Sequence, residues 1–228
     1  AARGDDLVLT ARRVERLEAL REEIVRLHPA RRVDVAPLDV LDDAAVFATF
    51  AAAGPLDRVI VNAGIGSAGP VGTGLWEGNR RVAMTNFVAG LAQIEAAMER
   101  FRAQGHGHLV VIASVAAVRG LRGGPAVNAA AKRGLAHLAE GLRSEYLDTP
   151  IDVTVVYPGY IRTEMTAGHV DAPFTVDAER GVRDIVTGIE RRRTAVYAPV
   201  LPWAPLSALL RILPLRVVSR LTRPPRGA

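Results

Sequence analysis

Short valine-rich apolar runs alternate along the chain with longer stretches in which apolar residues recur every three to four positions. This is the pattern of strand–helix units that build a parallel sheet covered on both faces. Leu7–Thr10, Val33–Ala36, Val59–Val61, Leu109–Ala113, Val153–Tyr157 and Ala195–Ala198 read as strands, most of them bounded by turn residues. Between the first two, Val14, Leu17, Leu20, Ile24 and Leu27 share one face and charges fill the other, which predicts an amphipathic crossover helix. Further helices are predicted over Asp42–Ala53, opened by acids, and over Met84–Gln104, Asn128–Leu147 and Asp177–Arg191. The expected fold class is therefore α/β, a doubly wound parallel sheet in three layers. It forms a single domain over 1–198, followed by a tail over 199–228.

A length of 228 residues suits one domain with an appendage, and 49% hydrophobic against 5% aromatic residues describes an aliphatic globular core. Cysteine is absent, which excludes a disulfide scaffold and thiolate-held zinc or iron–sulfur centres, and no metal site is expected. No apolar run reaches the roughly eighteen residues of a membrane span and no leader-like stretch occurs, so a cytoplasmic location is the expectation.

Charge is distributed unevenly. Basic residues number 29 and acidic ones 24, but Pro199–Ala228 hold Arg211, Arg216, Arg220, Arg223 and Arg226 with no acid, so the preceding body is balanced. A neutral body without interleaved aromatic residues argues against a nucleic-acid partner. The tail also carries Leu206, Leu209, Leu210, Ile212, Leu213, Leu215, Val217 and Val218, and Pro214 interrupts any helix there. Such a segment suits peripheral contact with an anionic membrane surface; docking over the substrate site or against a partner subunit is the equal alternative.

Gly64, Gly66 and Gly69 spell the spacing of a dinucleotide-binding glycine loop directly after a strand. That loop must open a helix and be followed by an acid about 20 residues on; Pro70, Gly72 and Gly74 delay any helix and no acid stands there. Taken instead as a strand followed by Asn62-Ala63-Gly64, the segment falls into register with others. Leu109–Ala113 runs into Ser114, Asn128 and Lys132 stand four apart on the next helix, and Val153–Tyr157 runs into Pro158-Gly159-Tyr160-Ile161-Arg162-Thr163. Asn86 lies on the intervening helix. In order and spacing these residues resemble the short-chain dehydrogenase/reductase family, over nearly the whole chain.

The resemblance implies a Rossmann-like fold and carries two departures. Family members open with a strand and a glycine-rich turn, whereas residues 2–13 here read as the end of the first helix and the second strand. The expectation is a truncated chain lacking the central strand of a sheet ordered 3-2-1-4-5-6-7, with unpaired backbone beside the gap. The second departure is Asn128, where the family has the tyrosine of a Tyr-x-x-x-Lys pair. Residues four apart share a helix face, so both groups reach one site. An asparagine amide can hydrogen-bond a carbonyl but is no usable acid near neutral pH, and losing such an acid costs about 10²–10⁴ in rate.

By the resemblance, Asn86 holds a water in a proton relay, Ser114 polarises the substrate oxygen, and Lys132 binds ribose and supplies positive charge. Lys132 is the single lysine among the 29 basic residues, at the one position where a forked guanidinium would not serve as a compact, pKa-shifting donor. Cofactor contacts are implied at Asp39, Val40, Asn62, Ala63, Gly64, Lys132, Pro158, Gly159, Ile161 and Thr163, although Asp39 equally suits the cap of the helix near Asp42. Arg12 and Arg13, just after the chain's first strand, suit the 2′-phosphate of NADP rather than the 2′-hydroxyl of NAD, or else simply begin a solvated helix. Tyr157 and Tyr160 flank Pro158-Gly159 and are candidate substitute proton donors, with packing as their ordinary role.

The expected function is NADP-dependent hydride transfer to or from a small-molecule carbonyl or alcohol. The alternative is a catalytically impaired pseudoenzyme that binds cofactor or serves as a scaffold. Residues 160–180, with Met165, His169 and Phe174, would line the substrate pocket without picking out a substrate class. Met84–Gln104 and Asn128–Leu147 correspond to the family's usual subunit contacts, so a homo-oligomer is implied.

Overall fold

Branched aliphatic residues, stiff at χ1 and suited to a pleated surface buried on both sides, make up most of the strand positions. The computed structural model describes residues 1–120, 125–163 and 174–221. In chain order it contains β1 (Leu7–Ala11), α1 (Val14–Leu27), β2 (Val33–Pro37), α2 (Asp43–Ala52), β3 (Arg58–Val61), α3 (Trp76–Ala83), α4 (Ala89–Gln104) and β4 (Gly107–Ile112). These are followed by α5 (Ala126–Glu145), β5 (Ile151–Pro158), α6 (Ala178–Glu190), β6 (Ala195–Ala198), α7 (Val200–Ile212) and α8 (Leu215–Leu221). A π-helical turn, Met84–Val88, joins α3 to α4, and a 3₁₀ turn, Val115–Val118, follows β4.

Every strand pairing is parallel. Strands β3-β4-β5-β6 form one sheet, with Val61 opposite Val111 and Val111 opposite Val155. Successive residues of β4 face opposite ways. Leu109 and Val111 join Ile94, Phe101 and Leu135 from α4 and α5, while Val110 meets Val156, Ile189 and Val196 under α6. Helices thus cover both faces, the Rossmann-like α/β arrangement. Phe101 and Leu109 are wholly buried, and each such side chain contributes about 1.5–3 kcal/mol.

The strands divide into two sheets, a departure from one continuous array. Strands β1 and β2 pair only with each other, and no pairing joins β1 to β3. The division falls where the sequence pattern places the family's central strand. The two parts are linked by apolar packing of α2 on α4, through Leu38, Val46 and Ala96, and by the ion pairs Arg3–Glu190 at 3.4 Å and Asp5–Arg58 at 4.0 Å.

Two stretches depart from the expected elements. The helix read as starting at Met84 begins eight residues earlier, at Trp76. Only Asn79 and Val82 of α3 are buried, so the turn carries no apolar stripe to betray it. The tail, meanwhile, is folded as far as Leu221. Helix α7 packs on β6 and the 115–118 turn, burying Trp203 and Ser207; Pro214 separates it from α8, which buries Val218.

Candidate functional site

Because β3, β4 and β5 are parallel, their carboxyl ends open on one edge of the sheet, where ligands of such folds bind. Asn62-Ala63-Gly64 leaves β3 there, Ser114 leaves β4, and Pro158-Gly159 closes β5. Helix α5 returns beneath this edge with Asn128 and Lys132 one turn apart.

Lys132 is 8% exposed, and its Nζ donates to the Ile112 carbonyl at 2.8 Å, two residues before Ser114. Burial lowers its pKa from 10.5 to about 8, because a low-dielectric surrounding penalises the ammonium. Gly64 explains the close approach on the other side. A Cβ there would lie 3.3 Å from both Lys132 Nζ and Asn86 Oδ1, so the missing side chain leaves a small cradle between strand end and lysine.

Asn86 sits in the π-helical turn, wholly buried. Such widened turns recur at functional sites because they re-aim a side chain out of helical register. Its Oδ1 accepts from Ile65 N at 2.8 Å and its Nδ2 donates to Ile65 O at 2.9 Å, so the backbone fixes which way this amide points. The remaining Nδ2 hydrogen goes to Asn128 Oδ1 at 2.8 Å. Asn128 is thereby oriented too: its oxygen is occupied, and its NH₂ group donates to no described residue. Ser114 behaves alike. Its Oγ accepts from Ala116 N at 3.1 Å, capping the 3₁₀ turn and leaving the hydroxyl proton free to donate. The edge therefore offers an amide donor, a hydroxyl donor and a buried ammonium.

The other sequence candidates are placed less centrally. Arg12 and Arg13 are exposed at the β1–α1 junction and form no ion pair with another described residue. Asp39 Oδ1 accepts from Leu41 N at 3.1 Å in the turn after β2, but the cap of α2 is Asp42, which accepts from Ala45 N at 3.0 Å. Val40 is half-buried beside it. Ile161 bridges Val176, and Thr163 is exposed at the border of the undescribed residues 164–173, which contain Met165 and His169.

Both tyrosines take part in aromatic packing. Tyr157 is buried and stacks on Tyr197 at 5.0 Å; burial, and then Tyr197, push its phenol pKa up, and the charges acting on it are Arg211, Arg133 and Glu140 rather than Lys132. Tyr160 packs on Trp203 at 5.9 Å.

Trp203 is the residue that sequence reasoning missed. Phe174 meets it edge-on at 5.8 Å, and a Cβ on Gly159 would fall 2.1 Å from its Nε1, which is buried and without a hydrogen-bond partner among the described residues. The available signal was weak: one of two tryptophans, bracketed by Pro202 and Pro205 in an apolar segment. Among the described residues no cluster of His, Asp and Glu suited to a metal occurs, and no helix is long and apolar enough to cross a membrane.

The sequence profile of short chain dehydrogenases matches residues 1–173. An uncharacterized oxidoreductase of Mycobacterium tuberculosis is 45% identical over 224 residues, covering 96% of this chain and 88% of that protein. Another from Myxococcus xanthus is 33% identical, covering 87% and 79%. A short-chain dehydrogenase from Sphingobium yanoikuyae, solved in complex with NADPH, superposes with a TM-score of 0.81 at 27% identity, covering 99% of this chain and 89% of that one.

Proposed function

The chain belongs to the short-chain dehydrogenase family and is an oxidoreductase of that kind, and on that premise we propose that it uses NADP to interconvert a small carbonyl compound and its alcohol, with Lys132 in the proton-transfer role the family gives to tyrosine. The observation that carries this reading is the chain of amides from Ile65 through Asn86 to Asn128, which leaves a donor free one helical turn from a buried ammonium.

The residues at the ends of β3, β4 and β5 offer donors suited to the nicotinamide–ribose half of a dinucleotide. Glycine at position 64 keeps the approach to Lys132 Nζ unobstructed, since a Cβ there would lie 3.3 Å from it. Pro158 ends β5, and Gly159, Ile161 and Thr163 follow it on the same edge. Arg12 and Arg13, exposed at the end of β1 and forming no ion pair with another described residue, suit a 2′-phosphate. The NADPH complex of the Sphingobium relative points the same way. A bound nicotinamide nucleotide would supply or accept the hydride.

The protein's own groups do the rest. In reduction, Ser114 Oγ–H and Asn128 Nδ2–H donate to the substrate oxygen and stabilise the negative charge that develops on it. Asparagine has no proton to give, so Lys132 Nζ gives one and regains it from solvent; in oxidation the neutral amine takes the alcohol proton. A lysine whose pKa is near 8 suits both directions, because efficient acid–base groups titrate near the working pH.

Initial rates with NADPH and NADH against a panel of ketones and aldehydes, measured across pH, test the reading. Carbonyl reduction is expected to prefer NADPH and to fall above about pH 8 as Lys132 loses its proton. Lys132→Met should lower turnover by at least about 10²-fold. Full turnover in that variant, or a preference for NADH, overturns the assignment. NADPH binding without turnover on any substrate would instead favour the impaired, cofactor-binding reading.

A further inference from the structure

Helix α7 is apolar on both sides. Trp203 and Ser207 are buried against the domain, while the outward face presents Pro205, Ala208, Leu209 and Ile212, and Leu201, extended at a kink before the regular turns, is exposed beside them. A surface helix ordinarily turns polar residues outward. Here Leu201 is 72% exposed and Ile212 79%, and the apolar surface continues into α8 through Leu215 and Leu221. Contiguous exposed apolar surface of this kind marks an interaction site.

Charge decides the partner. After Glu190 the sequence contains no acid, and Arg211, Arg216 and Arg220 stand exposed beside the apolar face. Arg216 and Arg220 stand one turn apart on α8 beside Leu215 and Ser219, so their guanidinium groups can reach one phosphate-bearing surface. A second copy of the chain is a poor occupant. A two-fold contact through this face would bring together two patches that each carry Arg211, Arg216 and Arg220, a like-charge opposition.

We propose that the α7–α8 face docks on an anionic lipid bilayer, with Leu201, Leu209, Ile212 and Leu215 entering the headgroup–acyl boundary and Arg211, Arg216 and Arg220 contacting lipid phosphates. The two helices, separated at Pro214 and each far shorter than a span, lie along the surface rather than cross it. The proposal is independent of the catalytic reading, since it concerns the outer face of α7 and no residue of the sheet edge.

Co-sedimentation of the full chain with phosphatidylcholine vesicles, with and without phosphatidylglycerol and at low and high salt, tests it. The protein should pellet with phosphatidylglycerol vesicles, and high salt should release much of it. Changing Arg211, Arg216 and Arg220 each to Gln should weaken partitioning about fivefold per residue, roughly a hundredfold together. Leu209→Ser with Ile212→Ser should weaken it by about tenfold. All five side chains are exposed, so an unchanged unfolding midpoint separates lost binding from lost folding. Failure to pellet with phosphatidylglycerol vesicles overturns the proposal, as does equal binding to both vesicle types. Light scattering that shows a dimer dispersed by the same substitutions, with no vesicle binding, would assign the face to a second copy instead.

Discussion

At neutral pH Lys132 remains charged although burial has drawn its pKa from 10.5 to about 8, a difference that corresponds to about 3 kcal/mol against the charged form. The fold carries that cost for a cation with one carbonyl partner, the Ile112 oxygen. Lys132→Met, of similar length and without charge, is expected to stabilise the protein by about 2 kcal/mol, a rise in Tm of roughly 5 °C, while removing turnover. The sign has a pH signature. Between about 8 and 10.5 the unfolded chain binds a proton that the folded one does not, so wild-type stability rises with pH through that window and the variant lacks the rise. Thermal unfolding at pH 7 and pH 10 measures both; a variant less stable than wild type at pH 7 would mean that the Ile112 contact outweighs desolvation. That this residue would stand out was legible, because it is the sole lysine in an arginine-rich chain, and the structure buries it at the sheet edge beside Ile112. The coupling of Asn86 to Asn128 was not, since it depends on the direction of an amide set by the backbone of Ile65, far away in sequence.

Helices and strands with a strict period were legible to within a few residues: the six valine-rich runs, the 3–4 spacing of α1, and α6 with its cap Asp177, which accepts from Arg180 N at 2.7 Å. Elements held by tertiary contact were not. Helix α3 has two buried residues and no stripe, and α7, apolar on both faces, has no period from which to infer what it covers. Among the contacts that dock it is one close fit, Trp203 over Gly159, where a Cβ would lie 2.1 Å from the indole nitrogen. Gly159→Ala must therefore push Trp203 away from the sheet edge and should destabilise the protein by about 2 kcal/mol. With Trp203→Leu as background the same alanine meets a smaller, more flexible side chain, and its cost should fall by at least about 1 kcal/mol. Urea midpoints of the four proteins close this cycle. Strict additivity would show that α7 is not held by that contact.

Across the whole molecule the two sheets are secured unequally. The β1–β2 pair is tied to the rest by α2 on α4 and by exposed ion pairs, whereas β3, β4 and β5 share a buried polar link. His108, wholly buried on β4, accepts at Nδ1 from Arg58 Nε of β3 at 3.2 Å and bonds Thr154 Oγ1 of β5 through Nε2 at 2.8 Å. A second ring proton would set Nδ1–H against the Arg58 donor. Burial first, then the charges of Arg58 and Arg192, lower the His108 pKa from 6.5 to about 4, while Asp152 opposes them. As pH falls from 6.5 to 4 the unfolded chain takes up a proton that the folded chain refuses, so stability drops through that window by about 3 kcal/mol and levels off below it. His108→Gln retains an acceptor and a donor and cannot titrate. It should be the less stable protein at pH 7, from imperfect fit, and should lose less stability than wild type between pH 6.5 and 4.5. Urea unfolding at those pH values reads the slope directly, and parallel slopes would place the acid sensitivity of the sheet on the carboxylates instead.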